Sequence, residues 1–166
     1  MTGRVLRASL ADRRGHALLE LLVALLPLSL MLVVLLQTID RQLHELIVRH
    51  AARAAVRSAV VVLPDDGIHY GDPRNRALNR FVGGRKAAIE ADARAVLRAS
   101  SALELRALQV WGSFLPGGVA TVSVVAVSSC LFGRWSLMCG SGGTARVSAR
   151  ASLPYQATLY PYSRGG

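Results

Sequence analysis

An α+β fold is predicted by three features of this 166-residue chain. Residues 17–36 are almost wholly apolar, residues 37–63 hold neither glycine nor proline, and two valine- and alanine-rich segments of β character lie near the C-terminus. The first two features merge into one long N-terminal helix over residues 16–63, membrane-spanning in its first half and amphipathic in its second. The third places a small domain of helix and antiparallel sheet in residues 64–166.

Residues 1–15 carry Arg4, Arg7, Arg13 and Arg14 against Asp12 alone and have no apolar face, so they read as a basic cytoplasmic leader. The apolar run over residues 17–36 rises about 1.5 Å per residue, which gives roughly the 30 Å of a bilayer core. Arginines before the run and none within it set the N-terminus in the cytoplasm and the rest of the chain beyond the inner membrane. The chain is thus expected to be a single-pass inner-membrane protein with a periplasmic or extracellular C-terminal domain.

A cleaved secretory signal has a shorter apolar core and a small-x-small site, whereas this run continues into Gln37, Thr38, Ile39 and Asp40. Twin-arginine export fits the Gly-His-Ala-Leu after Arg13-Arg14 poorly. An ordinary signal anchor gives no reason for Glu20 at the lipid edge, where a carboxylate calls for a specific partner; at the centre of a membrane helix it costs about 2.5–3.5 kcal/mol.

Beyond the span, Leu43, Leu46, Ile47, Ala51, Ala54, Ala55 and residues 59–62 are expected to share one helix face, with Arg41, Arg49, Arg53 and Arg57 recurring at helical intervals. Such a helix needs a packing partner. Pro27 lacks an amide donor and is expected to kink or loosen the membrane half. Pro64-Asp65-Asp66-Gly67 ends the helix, and residues 64–84 read as a surface connection.

Residues 85–110 return to helical composition, with Ile89, Ala93, Val96, Leu97, Leu103 and Ala107 as the apolar stripe, and break at Gly112 and residues 116–118. Residues 119–127 are β-branched and predict a strand. Residues 144–153 alternate polar with apolar side chains and predict a half-buried strand, antiparallel to the first. Cys130 and Cys139, nine positions apart, lie in the connection between them. In an oxidising compartment a disulfide would close that loop; the alternative is two separate buried thiols. Two cysteines without nearby histidines do not complete a zinc site.

The formal charge is +10, and every basic residue except Lys86 is arginine. Apart from Arg13-Arg14 and Arg85-Lys86 the arginines stand singly, without the aromatic interleaving or zinc spacing of a nucleic-acid module, so no nucleic acid is expected as partner. Nucleotide loops, hydrolase elbows and metalloprotease motifs are missing, and His16, His44, His50 and His69 are scattered. No catalytic residue, metal or cofactor is expected. Asp40 with His44, and Arg41 with Glu45, are four apart and read as solvated ion pairs. Trp111, Trp135, Tyr155, Tyr160 and Tyr162 read as core or interface residues, with sugar stacking as the second reading.

Arg13-Arg14-Gly15, Glu20, the leucine-rich run containing Pro27 and the segment Ala51-Ala52-Arg53-Ala54-Ala55-Val56-Arg57 together resemble the N-terminal third of TadE-like proteins. These are minor pilins or pseudopilins of the tight-adherence branch of type IV pilus systems. The C-terminal part is similar to that family only in general character: a cysteine pair, a polar alternating strand and a Pro-Tyr ending. The family commonly has an aromatic residue after the glutamate, where this chain has Leu21.

The resemblance implies cleavage after Gly15 by a membrane aspartyl prepilin peptidase, which makes His16 the new N-terminus and Glu20 the fifth residue. It implies that Glu20 pairs with the ammonium group of a neighbouring subunit, each offsetting the other's desolvation. Pro27, Arg53 and Arg57 would lie where helices pack, and the partners would be other pilin subunits, the peptidase and an inner-membrane assembly platform. The alternative is a membrane-anchored periplasmic binding module or adhesin that forms no filament.

Overall fold

A computed structural model of the chain describes residues 3–65, 67–71, 81–112, 117–130, 139 and 142–155, with side chains from residue 16 onward. Contacts divide it into two units, Met1–Asp40 and Arg41–Gly166, which are taken in turn.

The first helix, α1, runs Gly3–Val62 and supplies all the described structure of the first unit. It begins well before the expected residue 16, because the leader residues are mostly alanine, leucine and arginine, all good helix formers. The helix continues through Pro27 without interruption. From His16 to Val33 every side chain is exposed, as no other element covers this stretch among the described residues. The helix is long and apolar enough to cross a membrane.

The second unit opens with the remainder of α1. A single turn of 3-10 helix follows at Gly67–Tyr70, then a second helix, α2, at Gly83–Leu97. Three strands complete it: β1 at Leu103–Gly112, β2 at Val119–Ser129 and β3 at Thr144–Pro154. They form one antiparallel sheet in the order β1-β2-β3.

Alternation along β2 sets the two faces of the sheet. Ala120, Val122, Val124, Ala126 and Ser128 are buried, whereas Thr121, Ser123, Val125 and Val127 remain partly exposed. Against the buried row, β1 sets Gly112, Val110, Leu108, Leu105 and Leu103, and β3 sets Leu153, Ala151, Ala149, Val147 and Ala145. The two helices complete this core with Val48, Ala51, Ala52, Ala55, Val56 and Ala59 from α1 and Ile89, Ala93 and Leu97 from α2. At about 25 cal/mol per Å² of apolar area removed from water, this shared core is the main favourable term in the second unit.

Three expectations need correction. The helix predicted over residues 85–110 stops at Leu97, and Leu103–Gly112 is a strand. Leu103, Leu105, Leu108 and Val110 meet the core face of β2, with an irregularity between Leu105 and Ala107 that interrupts strict alternation and hides the strand period. The apolar face of α1 is also rotated from the one predicted. Leu43, Leu46 and Val61 are exposed, while Val48, Ala52 and Val56 join Ala51, Ala55 and Ala59 inside.

Of the two expected solvated pairs, Asp40 with His44 is not in a solvated position and Arg41 with Glu45 is replaced. His44 is buried and Asp40 half-buried. Glu45 pairs at 2.6 Å with Arg49, one turn further along α1, rather than with Arg41.

Candidate functional site

The sequence directs attention to the start of the apolar run. His16 and Glu20 lie on consecutive turns of α1, about 6 Å apart along the axis, and both are exposed. Leu18, Leu19, Leu21 and Leu22 around them are also exposed, by more than half of their surface. The structure thus leaves one carboxylate uncovered among uncovered leucines. Gly15 is within the helix, directly before His16. Pro27 is in the same exposed stretch.

Arg53 and Arg57 are one turn apart on the exposed side of α1, opposite the buried Ala51, Ala52, Ala55 and Val56. The structure therefore brings these two arginines to one surface and separates them from the domain core. Among the described residues, no group of three or more His, Cys, Asp or Glu side chains is arranged to hold a metal ion.

In the second unit a polar cluster joins the end of α1, the 3-10 turn and the first turn of α2. Arg85 is only 2 % exposed and donates from Nη2 to the backbone oxygen of Asp65 at 2.7 Å. The Tyr70 hydroxyl donates to Oδ2 of Asp65 at 3.1 Å, and Nδ1 of His69 lies 3.3 Å from the same carboxylate. Gly84 permits this approach, because a Cβ there would fall on the carbonyl oxygen of Tyr70.

Burial raises the Tyr70 hydroxyl above its ordinary pKa of 10.0, and the hydrogen bond to Asp65 raises it further. Tyr155 is almost fully buried after β3; burial raises its hydroxyl too, and the nearby Arg85 charge opposes the shift. Its backbone N–H donates to Gly118 at 2.7 Å, which closes the end of the sheet. Sequence reading missed the cluster, since Asp65, Tyr70 and Arg85 are separated in the chain by turn residues. An arginine on the apolar stripe of α2, four before Ile89, was the available signal.

Cys130 and Cys139 form a disulfide, with Cα atoms 6.6 Å apart, across the connection from β2 to β3. The bridge was one of two open readings. Trp135, Tyr160 and Tyr162 lie outside the described residues. Of the other aromatics, Tyr155 belongs to the core, whereas Trp111 faces away from it, 37 % exposed, with the Arg150 guanidinium 4.9 Å from its ring centre.

Comparison of the chain with family models, curated proteins and solved structures finds no match among any of them.

Proposed function

We propose that the chain is a TadE-like pseudopilin, a structural or assembly subunit of a tight-adherence pilus or a related secretion apparatus. The observation that carries this reading is the uncovered stretch of α1 from His16 to Val33, exposed on all sides and acidic only at Glu20. Lipid satisfies its leucines, and neighbouring helices of the same kind satisfy both the leucines and the acid.

In this reading the prepilin peptidase cuts after Gly15, and the ammonium group of His16 on one subunit pairs with Glu20 on the next. The leader stays in the cytoplasm and the second unit projects from the outer side of the inner membrane, where a disulfide persists. The protein acts as an assembly component and not as an enzyme.

The test is the mature N-terminus. In cells with an active prepilin peptidase, Edman degradation or mass spectrometry is expected to give His16, and Gly15→Asp is expected to leave the full-length chain. A different mature N-terminus, or unchanged processing of G15D, would remove the maturation step.

A further inference from the structure

The sheet has a second face, turned away from the helices, that the assembly role does not use. Its register is fixed by β2. Thr121 is flanked by Trp111 and Ser152, and Ser123 by Gln109 and Arg150. The six side chains form two adjacent rows of hydroxyl, amide, indole and guanidinium groups, with no carboxylate among them. Further along, Val127 is flanked by Glu104 and Arg146, and Glu104 is engaged by Arg106 at 3.1 Å. Among the described residues, no acid pairs with Arg146 or Arg150. The face therefore has a positive excess, and Arg150 rests against the indole with its charge unneutralised.

We propose that this face binds an acidic polysaccharide, with Arg150, held over the Trp111 ring, as the carboxylate-binding group and the part of the indole that Arg150 leaves exposed as the surface met by the sugar. Three physical considerations point to this occupant. Short hydroxyl and amide side chains on a pleated surface offer donors and acceptors at the scale of sugar hydroxyls. An exposed indole presents a flat apolar surface with a polar N–H, and a planar guanidinium grips a carboxylate with two parallel hydrogen bonds.

The spacing of charge argues against a nucleic acid. Arg146 and Arg150 are four residues apart on one strand, about 13 Å, whereas duplex DNA carries a charge roughly every 1.7 Å along its axis and is met by dense arginine and lysine. Single-stranded binders add several aromatic platforms, and among the described residues this face has one. A polymer of uronic acids, in which carboxylates are spread along a chain of hydroxyl-rich rings, fits sparse cations better.

The proposal concerns the second unit and does not rest on filament assembly, because every variant below retains the native N-terminal helix. Full-length protein in detergent micelles is passed over immobilised polygalacturonate, neutral dextran and single-stranded DNA at physiological salt. Polygalacturonate is expected to retain it, dextran is not, and DNA is expected to do so more weakly. Arg150→Gln and Trp111→Ala are each expected to weaken retention about tenfold, while Arg94→Gln on α2, which removes the same charge elsewhere, leaves it unchanged.

Circular dichroism checks that the variants are folded. Should W111A fail to fold, the exposed substitution R150Q decides alone. The proposal is overturned by an absence of polygalacturonate retention, by equal or stronger retention on DNA, or by equal losses in R94Q and R150Q, which would reduce the effect to net charge.

Discussion

Glu20 is the residue on which the proposed assembly turns. Its neighbours are lipid-compatible and it is not, so its removal should help insertion and harm only what the acid recognises. Glu20→Ala is accordingly expected to reach the membrane at wild-type levels, yet to be depleted from sheared pili or detergent-extracted pilus complexes. Equal incorporation of E20A would take away the pairing role.

Tyr70 makes a second residue-scale case, of stability and not assembly. Its folded-state pKa is raised above 10.0 by burial and the Asp65 hydrogen bond, so folding favours the neutral phenol. That contribution is intact below about pH 10 and is lost as pH rises through the raised folded-state value. Urea midpoints measured from pH 9 to 11 are expected to fall, and to fall less steeply in Tyr70→Phe. An identical decline in the two proteins would mean that the cluster plays no part.

At the scale of elements, legibility depended on whether one structural period controlled a segment. Residues 119–127 and 144–153 showed the strand pattern plainly, and the structure places antiparallel β2 and β3 there, longer by one or two residues at one end. Strand β1 was lost because Leu-Glu-Leu-Arg-Ala-Leu suits either structure by propensity, and the irregularity after Leu105 spoils the two-residue alternation. Pairing with β2 decides its conformation, which is a tertiary effect that a local window does not contain. The rotated face of α1 has a similar cause. Large leucines draw attention in a sequence, but the residues turned inward are the alanines together with Val48 and Val56, and Leu43 and Leu46 are left outside.

The disulfide ties the end of β2 to the segment leading into β3. In the chain-entropy account a loop of this length contributes about 2–3 kcal/mol. The double variant Cys130→Ala, Cys139→Ala is expected to lose that amount in denaturant unfolding, and the wild type is expected to lose a similar amount under reducing conditions. A loss below about 0.5 kcal/mol in both would show that strand pairing alone fixes the connection.

For the whole molecule, the sequence disclosed the class of architecture and the apolar helix, but not the polar cluster around Arg85 or the Trp111–Arg150 pair. The helix is written in consecutive residues, whereas those groups meet only once the sheet and α2 are formed. The two proposed activities are correspondingly separable. Replacement of residues 1–36 by an unrelated single-span anchor is expected to abolish pilus assembly in a complementation assay, although the second unit keeps its own core. Full complementation by the chimera would make the helix a tether.

The continuity of α1 across Gly15 bears on the proposed cleavage after that residue. Peptidases take their substrates extended, and in the intact helix the carbonyl and amide groups around the Gly15–His16 bond are engaged with residues four away. In the proposed maturation the turn must therefore melt before the bond can be cut. Glycine disfavours helix by about 1 kcal/mol relative to alanine, so Gly15 lowers the cost of opening the helix beside the bond proposed to be cut. Maturation on this view is governed by local unwinding as well as by sequence recognition, and a stiffer residue at position 15 slows it even where the enzyme could accommodate the side chain.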